Sequence, residues 1–341
     1  MSPQHTPRVA LVTGGCGFIG TNFVELLLDT DPAVHVVVLD ALTYAGRRAN
    51  LDAATARHPQ RLRFVHGDIE DAPLLARLFA EHTIDTVVHF AAETHVDRSL
   101  DGPRRFITTN IVGTFELLAA ARRAWAGREH VRFHHISTDE VYGSLGVAGS
   151  FVEDSAYAPS SPYSASKAAS DHLVRAWHRS YDLPITLSAC SNNFGAYQHP
   201  EKLIPHMIRR ALAGQPLPVY GDGGNVRDWI HVLDHCRAVD AILRRARTGR
   251  GYLVGARCER PNLAIVRRIC ARLDLRSPRP DRRPHADAIA FVSDRPGHDF
   301  RYAIDPSALE RDLGWAPRES FEDALDHTID WYLEHPAHLA P

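Results

Sequence analysis

The chain has 341 residues, 44% hydrophobic and 23% charged, with a net charge of -2. That length suits one large or two medium domains, and the near-neutral balance offers no field to draw nucleic acid or an anionic membrane. No apolar run is long enough to span a bilayer, no basic-then-apolar leader opens the chain, and the five cysteines are too scattered for a metal set or a disulfide framework, so the cytoplasm is the expected compartment.

Apolar runs at 9–13, 35–39, 62–65, 86–90 and 131–136 read as strands, with helical spacing at 18–29, 73–82 and 104–125 between them. Such alternation implies βαβ units, hence a parallel sheet covered on both faces: a Rossmann-type doubly wound α/β fold. After Cys190 the pattern breaks into short segments punctuated by Pro200, Pro205, Pro216 and Pro218, and 276–284 reads as an exposed Arg/Pro-rich loop. A last amphipathic helix is expected at 320–334. The expected division is a sheet domain over 1–187, with part of 226–250 returning to it, and a smaller mixed α/β lobe over 188–341.

The first strand runs into Gly14-Gly15-Cys16-Gly17-Phe18-Ile19-Gly20, a G-x-G-x-x-G between strand and helix. Glycines permit the tight turn and let backbone N–H groups at a helix N-terminus approach a pyrophosphate. Asp40, at the end of the second strand, stands where an acid binds the adenosine ribose hydroxyls. A carboxylate there repels a 2′-phosphate, which favours NAD over NADP; Arg47 and Arg48 argue weakly the other way.

Ser161 and Pro162 open a helix that carries Tyr163 and Lys167 four residues apart, on one face. An ammonium beside the phenol is expected to lower its pKa, so that Tyr163 can take a proton from an alcohol. Of 39 basic residues only Lys167 and Lys202 are lysine, which marks both for work that arginine cannot do. After the fifth strand comes Thr138-Asp139-Glu140, two carboxyls suited to paired acid and base work. Successive strand residues face opposite ways, so both reach one substrate only if the chain turns at Asp139. His231 and His235 have metal-like spacing but no evident third ligand, and no metal is expected.

These residues resemble the extended short-chain dehydrogenase/reductase family and, within it, the dehydratases that remove water across C5 and C6 of dTDP-glucose. The resemblance covers almost the whole chain. Besides the glycine turn and the Tyr-Lys pair it rests on 91–99 (AAETHVDRS), 137–143 (STDEVYG), 190–193 (CSNN), 200–205 (PEKLIP), 226–229 (VRDW) and 294–299 (DRPGHD). It implies that Gly14, Gly17, Phe18, Ile19, Gly20, Asp40, Leu42, Thr43, Asp68, Ile69, Ala91, Ala92, Thr109, Tyr163, Lys167 and Asn193 hold NAD. It implies that Thr94, Thr138 and Asn192 contact sugar or phosphate, and that Lys202, Leu203, Pro218, Tyr220, Arg227, Asn262, Arg295 and His298 line the nucleotide diphosphate site. The implied catalytic set is Thr138, Asp139, Glu140, Tyr163 and Lys167, in a homodimer paired through 104–125 and 162–181. The implied place is deoxysugar biosynthesis, with natural products suggested by the arginine-rich composition. Leu253-Val254-Gly255-Ala256 departs from the usual turn of that family. A 4-epimerase, a 5,6-dehydratase or a non-catalytic nucleotide sensor on the same scaffold stand as alternatives.

Overall fold

The computed structural model describes residues 4–294 and 299–340. Seven parallel strands form the central sheet: β1 (Val9–Thr13), β2 (His35–Asp40), β3 (Leu62–His66), β4 (Thr86–His89), β5 (Arg132–Thr138), β6 (Ile185–Cys190) and β10 (Gly251–Val254), in the order β10-β6-β5-β4-β1-β2-β3. The order reverses between β1 and β4, and in such sheets a crevice opens beyond the strand carboxyl ends at that point. The strands are nearly continuous apolar runs because both faces are covered: Leu75, Leu78, Leu117 and Leu118 pack one side, Phe23, Val24, Leu27 and Leu28 the other. β5 is buried throughout even though it carries His134, which sits between Thr186 Oγ1 at 2.9 Å and Ser188 Oγ at 3.0 Å on β6.

The expected division at 187 lies inside β6, and the chain comes back to the sheet at β10. The helix Val232–Arg245 also returns, packing Val232, Cys236, Val239 and Leu243 into the core beneath the helix Phe18–Thr30. The smaller lobe has a three-stranded sheet of β7 (Asn192–Phe194), β9 (Val226–His231) and β11 (Glu259–Pro261), and a parallel pair of β8 (Leu217–Tyr220) with β12 (Ile289–Val292). The helices Leu203–Leu212, Asn262–Arg276 and Phe321–Glu334 close its own core around Met207, Trp229, Ile269, Leu325 and Tyr332. Ser320 caps the last helix through Asp323 N at 3.2 Å.

One expected helix differs. In place of an unbroken run over 104–125, the chain makes a short helix Pro103–Phe106, a π-helical stretch Ile107–Gly113, and the helix Thr114–Ala124. Among the described residues no helix is long and apolar enough to cross a membrane.

Candidate active site

The glycine turn closes tightly because no side chain fits there. Gly14 has φ +70°, and a Cβ on it would lie 2.6 Å from Ala91 N; one on Gly20 would lie 2.2 Å from Gly14 O. Gly17 caps the following helix with no side-chain hydrogen bond and no acid in the first turn. Gly14, Gly17, Phe18, Ile19 and Gly20 thus form one wall of a cleft at the strand carboxyl ends. Asp40 lines it too: Oδ2 accepts from Cys16 N at 2.9 Å and Oδ1 from Leu42 N at 2.8 Å. Burial raises its pKa, and these two donors oppose the rise.

Thr43, Asp68, Ile69, Ala91, Ala92, Thr109 and Asn193 complete that part of the lining. Leu42 does not join them. Its φ of 50° turns the chain back, so its N–H serves Asp40 while its side chain packs towards the core. Tyr44, Glu93, Arg105, Gln198, His199 and Glu201 line the cleft without having been singled out from sequence. Glu93 and Glu201 lie inside the quoted motifs, but nothing local marks the others, which come from separate loops. Arg105 joins several segments, reaching Asp68 at 2.9 Å, Glu70 at 3.4 Å and Glu93 at 3.7 Å. At the mouth, Arg98 stacks 4.0 Å from the centroid of the Tyr44 ring and donates to Glu201 at 3.4 Å.

At the other end, β5 passes directly into a single 3-10 turn, Asp139–Tyr142. Thr138 caps it, accepting from Glu140 N at 3.3 Å. The chain therefore turns at Asp139, and Thr138, Asp139 and Glu140 all face the cleft with Tyr163 and Lys167. Asp139 is 2% exposed. Burial first, then the charges of Glu140 and Asp228, hold its pKa well above the usual carboxylate range, the direction that favours the acid form.

Tyr163 corrects the expectation drawn from spacing. Its phenol is pushed up, not down, by burial and then by Glu140 and Cys190, with only a hydrogen bond to Thr138 acting the other way. Lys167 shares the helix face, but its Nζ donates to Ile136 O at 2.7 Å, at the end of β5. Helical spacing fixes which face a side chain leaves from, not where a long flexible one ends. Burial brings the Lys167 pKa down to about 8.

From the smaller lobe, Asn192 and Lys202 reach the cleft, and Lys202 Nζ donates to Thr94 O at 3.4 Å across from the sheet. Leu203, Pro218, Tyr220, Arg227 and Asn262 stand outside this lining: Leu203 packs on the lobe's core, Pro218 and Tyr220 lie on β8, Arg227 on β9, and Asn262 opens a helix. Arg227 is buried, its guanidinium 4.5 Å from the Tyr302 ring centroid and donating to Val226 O at 2.8 Å. Its charge reaches Asp139, and that of Glu140 reaches Tyr302, so β9 borders the carboxyl pair. Arg295 and His298 lie outside the described residues. Among the described residues no group of three or more His, Cys, Asp or Glu side chains is placed to hold a metal ion; His235 instead hydrogen-bonds Asn193 Oδ1 at 2.9 Å.

A reversed-order parallel sheet, a glycine turn at the reversal and a Tyr-Lys pair beside it define a Rossmann-type protein of the short-chain dehydrogenase/reductase class. The chain belongs, more narrowly, to the GDP-mannose 4,6 dehydratase family, whose model matches residues 11–328. It is 55% identical over 328 residues to the dTDP-glucose 4,6-dehydratase of Xanthomonas campestris pv. campestris (strain B100), covering 95% of this chain and 92% of that one. Among solved structures it is similar to the dTDP-glucose 4,6-dehydratase DesIV from Streptomyces venezuelae with NAD bound, with a TM-score of 0.89, 47% identity, and 96% and 98% of the two chains covered. The UDP-glucose 4-epimerase of Thermus thermophilus in complex with NAD is also similar, with a TM-score of 0.84 at 29% identity over 95% and 99% of the chains.

Proposed function

We propose that the chain converts dTDP-glucose into dTDP-4-keto-6-deoxyglucose with NAD as a recycled cofactor. The observation that carries this reading is the single turn after β5, which presents two carboxyls, the buried Asp139 and its neighbour Glu140, to the cleft that holds Tyr163. An epimerase needs no such pair, because it eliminates no water.

The residues present fit NAD. The Gly14–Gly20 turn packs too tightly on the protein's own backbone for side chains at Gly14 and Gly20, it lines the cleft at a helix N-terminus suited to a pyrophosphate, and that helix carries no competing cap. The Asp40 carboxylate suits ribose hydroxyls and repels a 2′-phosphate. Thr43, Asp68, Ile69, Ala91, Ala92, Thr109, Asn193, Tyr163 and Lys167 would complete the hold, with Leu42 acting only through the N–H that it donates to Asp40. When bound, NAD would supply a hydride acceptor for C4 and the hydride donor for C6. Tyr163, after losing its own proton to solvent, takes the O4 proton as phenolate while C4 is oxidised; the proton is released again, and Asp139 is reprotonated, before the next turnover. The new ketone acidifies C5–H, and Glu140 removes that proton. Asp139 gives its proton to O6, so that water leaves. C6 is then reduced, and C5 regains a proton from Glu140.

Thr94, Thr138 and Asn192 would hold the sugar. Lys202, Leu203, Pro218, Tyr220, Arg227, Asn262, Arg295 and His298 would hold the nucleotide diphosphate, the part of the substrate remote from C5 and C6. Remote binding of that kind orients the centre that reacts. We further assign the working form as a homodimer in the cytoplasm. The reading is supported by an exposed apolar row on the π-helical stretch and by five free cysteines.

The reaction is tested with dTDP-glucose carrying deuterium at C4 and a catalytic amount of NAD. A 4-keto-6-deoxy product with the label at C6 is expected. Recovery of a C4 epimer with all oxygens retained, or label lost from the product, contradicts the reading.

A further inference from the structure

Behind Tyr163 and Lys167 lies a buried polar cluster that the steps above leave unused. Asp171 follows Lys167 by four residues on the helix Pro162–Tyr181 and is fully buried. Its Oδ2 accepts from Ser137 Oγ at 2.7 Å and from the Tyr157 hydroxyl at 2.9 Å. Its Oδ1 lies 3.2 Å from His135 Nε2. The same imidazole nitrogen is 3.5 Å from Lys167 Nζ and 3.3 Å from Ser170 Oγ. Ammonium, imidazole and carboxylate therefore follow one another inside the protein, joined to β5 at Ile136 and Ser137.

A buried ammonium without an opposing charge sheds its proton. The groups facing this one are few. His89 on β4 and His135 on β5 are both buried imidazoles held neutral, the latter with a pKa down at about 4. Cys190, at the end of β6, is a thiol pushed up to about 12. Tyr142 and Tyr157 are phenols pushed up by burial, and Arg175 adds positive charge. The Asp139 carboxyl is pushed up by burial and by the charges of Glu140 and Asp228. Asp171 differs from all of these. Despite its own burial, its contacts with His135, Lys167 and Ser137 keep its carboxyl below the usual range, and it is the foremost charge opposing the loss of the Lys167 proton.

We propose that Asp171, with His135 between, is a positioning residue for the reaction: the buried counter-charge that keeps Lys167 protonated and fixed at the end of β5. The proposal rests on Lys167 serving the chemistry as assigned above. Lys167 sits near its midpoint at about pH 8, so a small change in its surroundings changes how much of it carries the proton. A neutral Lys167 would still fit its site at the end of β5, but the cleft would lose its positive charge. Tyr157 is half-buried and borders an outer pocket with His172 and Arg175, so the carboxylate is also linked towards solvent on the far side from the cleft.

The sequence makes the test direct. With only two lysines, side-chain 15N labelling gives two ammonium signals, and Lys202→Arg identifies which is which. The full-length protein is titrated with NAD present. In Asp171→Asn the Lys167 midpoint is expected to fall by about one pH unit or more. The alkaline limb of kcat should move with it, and KM should change less. In Tyr157→Phe the carboxylate loses a donor but keeps its charge, so the midpoint should hold or rise. An unmoved midpoint in Asp171→Asn, or a loss of kcat uniform across pH, overturns the proposal. If Asp171→Asn does not fold, a fall in the Tyr157→Phe midpoint overturns it, and a hold or rise supports it. A shifted midpoint in a protein that never dehydrates dTDP-glucose would instead count against the reaction assigned above.

Discussion

Asp139 and Glu140 are adjacent in sequence yet suited to opposite tasks, and the difference comes from where one turn leaves each of them. Asp139 is buried beside Glu140 and Asp228, and keeps its proton. Glu140 is only partly buried. Asp139→Asn replaces a neutral group by a neutral group of the same shape, so the fold should lose little stability. It removes the proton that O6 needs, and kcat should fall by roughly 10²- to 10⁴-fold. Glu140→Gln should cost a similar factor at a different step. In deuterated water the Asp139→Asn protein should still exchange C5–H of the bound substrate, and Glu140→Gln should not. Equal exchange in both variants would mean that the roles are wrongly divided. The sequence showed the pair but not the turn that unites it. The Tyr-Lys spacing was equally legible, whereas the raised pKa of Tyr163 was not. That depends on Glu140 and Cys190, brought close only by the fold.

The stretch over 103–124 shows where sequence periodicity fails. Helical spacing is continuous there, and a change from i→i+4 to i→i+5 bonding leaves hardly any trace in apolar periodicity. The reason for the π-helical stretch lies elsewhere in the chain. Asn110 accepts from Glu93 N at 2.8 Å and donates to Glu93 O at 3.0 Å and Ser166 Oγ at 2.8 Å, so it is drawn into the protein. Its neighbour Thr109 reaches the cleft. The same stretch exposes Ile107 at 45% and Val112 at 42%, and Phe115 and Tyr181 lie exposed on the flanking helices. A contiguous apolar row beside packed helices suits a second copy of the chain. Light scattering should give twice 37.9 kDa, and Val112→Glu should shift it towards the single-chain mass. Because Thr109 and Val112 share the π-helical stretch, that variant should also bind NAD less tightly, by a few-fold. A single-chain mass for the unmodified protein at micromolar concentration would refute this pairing.

Across the whole molecule, burying histidines in the interior links folding to acid. His5 is brought down to about 3, His135 to about 4 and His235 to about 3, while His89 and His134 lie well below their ordinary value. All five owe this chiefly to burial. His5, His89 and His134 meet hydroxyls that satisfy a neutral ring, Thr86 for His5 and Thr13 for His89 among them, and His235 meets the amide oxygen of Asn193. Below about pH 6.5 the unfolded chain binds protons at these positions and the folded one does not, so each contributes stability at neutral pH that is lost as pH falls towards 4. Each such group costs up to about 1.4 kcal/mol per pH unit in that window. Asp139 and Asp228, the latter raised to about 6, act in the opposite sense: the folded state holds their protons where the unfolded chain has lost them, so they regain stability as pH falls. His199 acts with these imidazoles and Asp40 with these carboxyls, but the buried rings are the larger group, so the net effect is a loss of stability as pH falls. The Tm should therefore fall by roughly 5 °C or more per unit between pH 6 and 4.5. Unfolding in that range should take up protons, so the calorimetric enthalpy will depend on the ionisation heat of the buffer. A Tm that holds steady over those pH values would mean that the interior imidazoles are charged in the folded protein, and a charged His134 between two hydroxyls is incompatible with this packing.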